Sequence, residues 1–346
     1  MSYKFNATCL MRSLTFILLL FWLPLAAQKK KKEEAPDKYP EITSILTKNQ
    51  KQLGGDLVVL VYKNDTIDYR REMGEYFTAK ISNNIASAGQ WIAVATIMTF
   101  VDEGRIDLDD PVTKYLPGFG KYAKAYLTIR HCLASVTGIE NEKSKIAKAL
   151  GAKRRFASLE EEVNSFAAKE ISNNPEKEFH YGNIGVNIAA RVCEVVGKKS
   201  FDRLAQERIL RPLRMRGTSF TDENGGAINP SLGARSTAYD YLNFLVMMMN
   251  KGKFEDKQVL SEKSVAEMET PQFVGLPVAY KPREAAELKY GLGSWMLDKD
   301  VLVFPGSTGT WGIVDRTKKF AIVVFVKKAS DDLPASVYMD IKNAIN

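Results

Sequence analysis

"IASAGQWIAVATIMTFVDEGRIDLDDPVTKYLP" (Ile85–Pro117) is the stretch whose reading decides the fold. From Ala88 to Glu103 the residues are apolar nearly all round, with Val94, Ile97, Met98 and Val101 at helical spacing and Gly104 placed to end the helix. A helix with no polar face has nothing to show water, so it belongs at the centre of the molecule. Ser87 stands at its N-terminus, where its own backbone N–H points forward and the helix end favours developing negative charge. On the local residues alone, a helix cap is the simpler role for that serine. Gln90, one turn further in, has no accessible pKa with which to take a proton from it.

Outward from this helix, "GDLVVLVYKNDTIDYRREMG" predicts strands over Asp56–Tyr62 and Thr66–Glu72, joined by the turn-forming Lys63-Asn64-Asp65. Helices are expected at Ile129–Ser135, Leu159–Lys169, Ile184–Val196, Phe201–Ile209, Ala238–Asn250 and Ser261–Glu269. Strand character returns at Gly291–Leu297, Val301–Phe304, Trp311–Asp315 and Phe320–Val326, and Pro334–Ile345 reads as a closing helix. Strands at both ends around a helical middle imply one sheet built from the two termini with a helical insert packed beside it.

The 346 residues, 45% hydrophobic and 26% charged, have the make-up of a folded globular protein. Met11–Ala27, "MRSLTFILLLFWLPLAA", has the layout of a secretory signal cleaved before Gln28, with Met11 an alternative start; the run is short for a membrane anchor. Export to the periplasm or the extracellular space is therefore expected. Residues 28–40 read as a charged, solvated tether that could also touch anionic envelope polymers. The formal charge of +8 falls to about +4 once Lys4, Arg12 and the net two charges of Lys29–Lys38 are set aside. That balance, with no zinc-finger spacing and no aromatic and basic strand signature, gives no reason to expect nucleic acid as a partner. Cys132 and Cys193 are expected to be buried thiols rather than a disulfide.

Five segments occur together in order: "ASAGQW…VDEGRIDLDDPVTKYLP", "LTIRHCLASVTGI" (Leu127–Ile139), the stretch from "FHYGN" to "MRGTSF" (Phe179–Phe220), "YGLGSW" (Tyr290–Trp295) and "PGSTGTWGIVDR" (Pro305–Arg316). In order and spacing the chain resembles the serine β-lactamase and penicillin-binding-protein superfamily over roughly residues 50–330, nearest the branch of class C β-lactamases, D,D-carboxypeptidases, D-aminopeptidases and esterases. The resemblance implies an α/β (α+β) fold of β-lactamase/transpeptidase type, an antiparallel sheet formed from both termini and flanked by helices. A sheet subdomain would cover about 41–80 plus 285–346, and a mainly helical central subdomain about 81–284.

The same resemblance assigns roles one position at a time. The family's first motif is a serine followed three residues later by a lysine that helps remove its proton. Ser87 matches the nucleophile, but Gln90 holds the lysine position. Tyr181 and Asn183 of "YGN" match the second motif, in which the tyrosine shuttles protons and the asparagine holds the substrate amide. The third is a strand triplet of a cation, threonine and glycine; Ser307, Thr308 and Gly309 keep the last two and replace the cation with a hydroxyl. The backbone N–H of Thr310 would join that of Ser87 as an oxyanion hole.

Other chemistries find little support. His131 lies in a helical stretch where a structural role is simpler, and His180 adjoins Tyr181 in an extended segment, where neighbours point apart. Two histidines without paired spacing make no zinc site, and Asp107–Pro111 reads as a structural turn, so no cofactor or metal is expected. Trp311 either lines a pocket or packs a strand. The expected partner is a small-molecule or peptide substrate or ligand, with no transmembrane anchor after leader cleavage. Two functions stay open: a serine hydrolase working through an acyl-enzyme at Ser87, weakened by Gln90, and a catalytically silent relative that binds a cell-wall fragment, small ligand or protein in the same cleft.

Overall fold

The computed structural model describes residues 37–139, 156–221, 227–330 and 333–345; the expected leader and most of the tether lie outside them. The elements used below are helix α1 (Pro40–Asn49), strands β1 (Leu57–Lys63) and β2 (Thr66–Met73), helix α2 (Gly89–Asp102) and helix α3 (Ile129–Leu133). Then come α4 (Leu159–Ala168), β3 (Phe179–His180), α5 (Ile184–Gly197), α6 (Phe201–Ala205), α7 (Ala238–Met249), α8 (Glu262–Met268) and β4 (Val278–Tyr280). The chain closes with β5 (Lys289–Tyr290), β6 (Trp295–Met296), β7 (Val301–Pro305), β8 (Trp311–Asp315), β9 (Phe320–Val326) and α9 (Ser336–Asn343).

β1 and β2 form a hairpin because Asn64 and Asp65 both adopt positive φ, 53° and 59°, the pair of left-handed residues that a two-residue turn needs to match strand twist. β1 then pairs antiparallel with β9 from the far end of the chain, Leu57 opposite Val326 through Lys63 opposite Phe320. The seven-stranded sheet runs β2-β1-β9-β8-β7-β6-β5. Leu57–Val61 and Phe320–Val326 are buried without alternation, so both faces of the sheet centre must be covered. Trp311 and Gly312, consecutive on β8, show how: Trp311 stacks on Tyr338 of α9 at 4.0 Å, while Gly312 lies against Tyr241 of α7. Packing is thus the role of Trp311, and two helical layers sandwich the sheet.

α2 lies at the centre, with every residue from Gly89 to Phe100 buried. Its close approaches require glycine. A side chain at Gly89 would meet Ala234 Cβ at 2.1 Å, and one at Gly293 would meet Val94 at 2.4 Å. That second contact explains why the expected strand over Gly291–Leu297 is split: the chain turns through Gly291–Ser294, with Gly293 at φ +69°, and only Trp295–Met296 pairs.

Other departures are local. α1 is not anticipated from sequence, α3 stops at Leu133, α9 is shorter at both ends, and α6 passes into a π-helical turn over Gln206–Leu210. Cys132 and Cys193 are buried free thiols. No helix among the described residues is long and apolar enough to cross a membrane.

Trp91 anchors α2, stacked on Phe304 at 5.7 Å and edge-on to Phe244 at 5.4 Å. Trp91→Ala is expected to destabilise the fold by about 3–5 kcal/mol, read from chemical denaturation midpoints; a loss below ~1 kcal/mol would show that α2 is not the packing centre.

Candidate active site

The site begins three residues before Ser87. Asn84 Oδ1 accepts the Ala86 N–H at 2.6 Å and the Ile85 N–H donates to Ala234 O at 2.9 Å, and between these anchors Ala86 is held at φ +44°. That conformation costs a non-glycine residue roughly 1–2 kcal/mol. It turns the chain into the short 3-10 segment Ala86–Ala88 that leads into α2, and it sets Ser87, 4% exposed, at the helix mouth. Ser87 Oγ accepts a hydrogen bond from the Ser307 backbone N–H at 2.9 Å. This bond joins the central helix to the sheet.

The third segment departs from the sequence expectation. Ser307–Gly309 does not lie on a strand. Pro305 of β7 pairs directly with Trp311 of β8, and the five residues between them close a tight turn with Gly306 N–H on Thr310 O at 2.8 Å and Gly309 N–H on Gly306 O at 2.8 Å. Gly309 sits at φ +93°, and a Cβ there would lie 2.3 Å from Ala329 Cβ. The turn brings the Ser307 amide onto Ser87 Oγ, while Thr310, fully buried, contributes its carbonyl to the turn and leaves its own hydroxyl unpartnered. Ser307 is exposed, and Thr308 is half-buried with its hydroxyl 3.5 Å from Asn84 O.

Gln90 is 1% exposed. Its Nε2 donates to Gly182 O at 3.1 Å, tying α2 to the Tyr181–Asn183 segment, and its Oε1 is buried with no hydrogen-bond partner. Tyr181 is also buried. Its hydroxyl faces Ser87 and the indole N–H of Trp295, close enough for both to draw its pKa down yet outside ordinary hydrogen-bond geometry. Burial outweighs them and, with the neighbouring Tyr290 phenol, pushes the Tyr181 pKa well above the usual tyrosine value. A phenol so placed is protonated at neutral pH. Asn183 is half-buried at the start of α5, and its side chain makes no capping bond. Among the described residues no hydrogen bond or ion pair brings a charged side chain to Ser87, Gln90 or Tyr181.

The structure therefore brings together Ser87, Gln90, Tyr181 and the Ser307 turn. It adds residues that sequence reading did not single out: Ala86, which sets the entry angle; Gly182, whose carbonyl holds Gln90; and Trp295, whose ring packs 5.1 Å from that of Tyr181. Trp295 was visible within "YGLGSW", but only the folded sheet puts it beside Tyr181. The other candidates have structural partners. His131 Nδ1 accepts the Thr128 N–H and its Nε2 meets Glu176 at 2.6 Å, and the His180 ring lies beside Tyr280. Asp109 pairs with Arg130, and Asp110 with Lys114 and Tyr115.

The model of the family described as Beta-lactamase matches residues 46–341. The chain belongs to the beta-lactamase family. Among solved structures, a candidate beta-lactamase from Bacteroides dorei DSM 17855 superimposes with a TM-score of 0.78 at 24% identity, covering 89% of this chain and 99% of that one. EstCE1, a hydrolase with promiscuous acyltransferase activity, gives 0.73 at 16% identity, with 88% and 97% covered. Protein flp of Staphylococcus aureus (strain MRSA252) is 26% identical over 152 residues, 43% of this chain and 30% of the relative. The teichoic acid D-alanine hydrolase of Staphylococcus aureus is 24% identical over 209 residues, 56% of this chain and 50% of that protein. The chain thus spans half or less of the curated relatives it matches.

Within this family site, Ala86→Gly should relieve the left-handed strain and raise stability by roughly 0.5–1 kcal/mol. A thermal or denaturant melt in which the glycine variant is less stable than the parent would show that Ala86 carries no strain.

Proposed function

We propose that this protein is an exported serine hydrolase of low turnover, in which Ser87 is acylated by esters or activated amides, and that unactivated peptides are bound far better than they are cleaved. The observation that carries this reading is the Ser87 hydroxyl, held at the mouth of α2 on the Ser307 amide with Gln90 where relatives keep a lysine. The nucleophile, Tyr181, Asn183 and the Thr308-Gly309 turn are kept, so acyl transfer retains its frame. General-base assistance is worth about 10²–10⁴ in rate, and substrates with good leaving groups need it least. With Ser307 in place of the third-motif cation, an uncharged group is favoured at that end of the substrate. The hydrolase and acyltransferase named among the structural relatives support the reaction class, and the Met11–Ala27 leader supports export.

A catalytically silent, ligand-binding role is the second reading. It is favoured by the raised Tyr181 pKa and the unpartnered Gln90 Oε1. Fluorophosphonate labelling followed by intact mass separates the two. A single adduct lost in Ser87→Ala supports the hydrolase; no adduct, or one that survives the substitution, removes it.

Two further outcomes follow from the same assay. Gln90→Lys should speed labelling on the order of 10²-fold, because it restores a base and a cation beside Tyr181. An unchanged rate would locate the limitation elsewhere. In the parent protein the titratable group that faces Ser87 among the described residues is the Tyr181 phenol, whose pKa lies above its ordinary value, so its basic form is scarce at neutral pH and grows about tenfold per pH unit. The Ser87-dependent labelling rate should therefore climb from pH 7 through pH 9 without levelling. A plateau near neutrality would reveal a different base.

A further inference from the structure

A cavity of about 190 Å³ opens beside the site without including Ser87, Gln90, Asn183 or Ser307. We infer that it is a binding site for a small aromatic carboxylate of arylacetate size, a role that goes beyond the Ser87 chemistry and does not depend on it.

The volume sets the scale, since an apolar cavity of roughly 150 Å³ accommodates benzene. Four rings, Phe179, Phe273, Tyr290 and Trp295, line the space with Leu276 and Leu288. Aromatic walls favour an aromatic guest, because edge-to-face and offset contacts add to area burial. The charge is one-sided. Among the described residues Lys281 and Lys289 line the cavity and no acidic side chain does; Glu287 acts on Lys281 from outside the lining. Lys281 Nζ donates to Ala286 O at 2.8 Å and to Leu288 O at 2.5 Å and stands 5.6 Å over the Trp295 ring, so two of its three N–H groups fix its position and the third is left for a ligand.

The rim is built at a conformational cost. Phe273 adopts φ +48°, an outlier for a bulky residue, and such strain concentrates at ligand clamps. Beside it Val274 is 81% exposed and Val278 57% exposed, apolar surface left at the opening. The cavity also shares a wall with the catalytic side. β4 pairs in parallel with β3, the Tyr181 N–H donates to Tyr280 O at 3.0 Å, and the Tyr290 and Trp295 rings that face the cavity pack on Tyr181 at 5.7 and 5.1 Å.

The test is calorimetric titration of phenylacetate and of phenethylamine into the full chain carrying Ser87→Ala, which removes acylation and so keeps this result separate from that of the proposed hydrolase. Saturable one-site binding of phenylacetate, at least about tenfold tighter than phenethylamine, is expected. Leu276→Trp, which fills the space, should abolish it. Val278→Glu, at an exposed rim position where folding is not at stake, should weaken phenylacetate about tenfold and strengthen phenethylamine. No saturation by phenylacetate, equal affinity for the two ligands, or affinity unaltered by Val278→Glu would each overturn the assignment.

Discussion

A helix without a polar face governs this structure. α2 is buried from Gly89 to Phe100, so it can exist only if a sheet closes over one side and other helices over the rest. Its surroundings approach most closely where glycine permits it, the loop residue Ala234 at Gly89 and the turn residue Gly293 at Val94. Enclosure fixes the helix in depth and rotation together. Its N-terminus then falls at the turn between β7 and β8, and the Ser307 amide meets Ser87 Oγ there. The position of the hydroxyl is thus a by-product of burying apolar surface, and it holds with a neutral Gln90 one turn further along the helix.

Those ionic parts matter in proportion to burial. An ammonium about 4 Å from a phenolate is worth roughly 4 kcal/mol at an effective dielectric of 20, or close to three pKa units. A carboxamide dipole supplies a small fraction of that, and burial then decides the state of Tyr181. The exchange has its own structural logic. At a position 1% exposed, where no described residue brings a carboxylate, an ammonium carries a desolvation cost that the neutral Gln90, bonded to Gly182 O, does not. Around Ser87 the contacts among the described residues are therefore hydrogen bonds between neutral groups, Gln90 to Gly182 O and the Ser307 amide to Ser87 Oγ.

How much of this was legible depended on whether the signal was local. The periodicity of α2, the hairpin at Asn64-Asp65 and the continuous apolar runs of β1 and β9 are written in neighbouring residues, and the structure follows them. α1 was overlooked although Pro40, Glu41 and Lys48 mark its ends, because its buried face amounts to Ile42 and Leu46 and its packing partner, α9, lies at the opposite end of the chain. Ser307–Gly309 was read as a strand from its family counterpart. Pairing of Pro305 with Trp311 leaves only five residues to reverse direction, and that length, rather than the composition of the triplet, makes it a turn. Ser87 and Tyr181 were recognisable as positions; the state of Tyr181 was not, since it depends on Tyr290 and Trp295, more than a hundred residues away in sequence.

The same ring cluster explains how the site tolerates its unsatisfied groups. Gln90 Oε1, Ser294 Oγ and Thr310 Oγ1 are buried without hydrogen-bond partners, a cost of about 1–3 kcal/mol for such a group, while the Tyr181 and Tyr290 hydroxyls and Trp295 Nε1 have polar neighbours only outside ordinary hydrogen-bond geometry. Packing against the apolar faces of the same residues offsets this: Tyr290 and Trp295 lie 4.6 Å apart, and Phe179 closes on both. Trp295 thus turns its indole N–H toward the Tyr181 hydroxyl and Tyr290 its hydroxyl toward Ser135 and the Gly293 backbone, while the ring bodies pack on one another and on Phe179. Truncating Tyr290 or Trp295 would remove ring packing and a polar neighbour at once, so the contacts that stabilise this corner of the fold also bear on the protonation state of Tyr181.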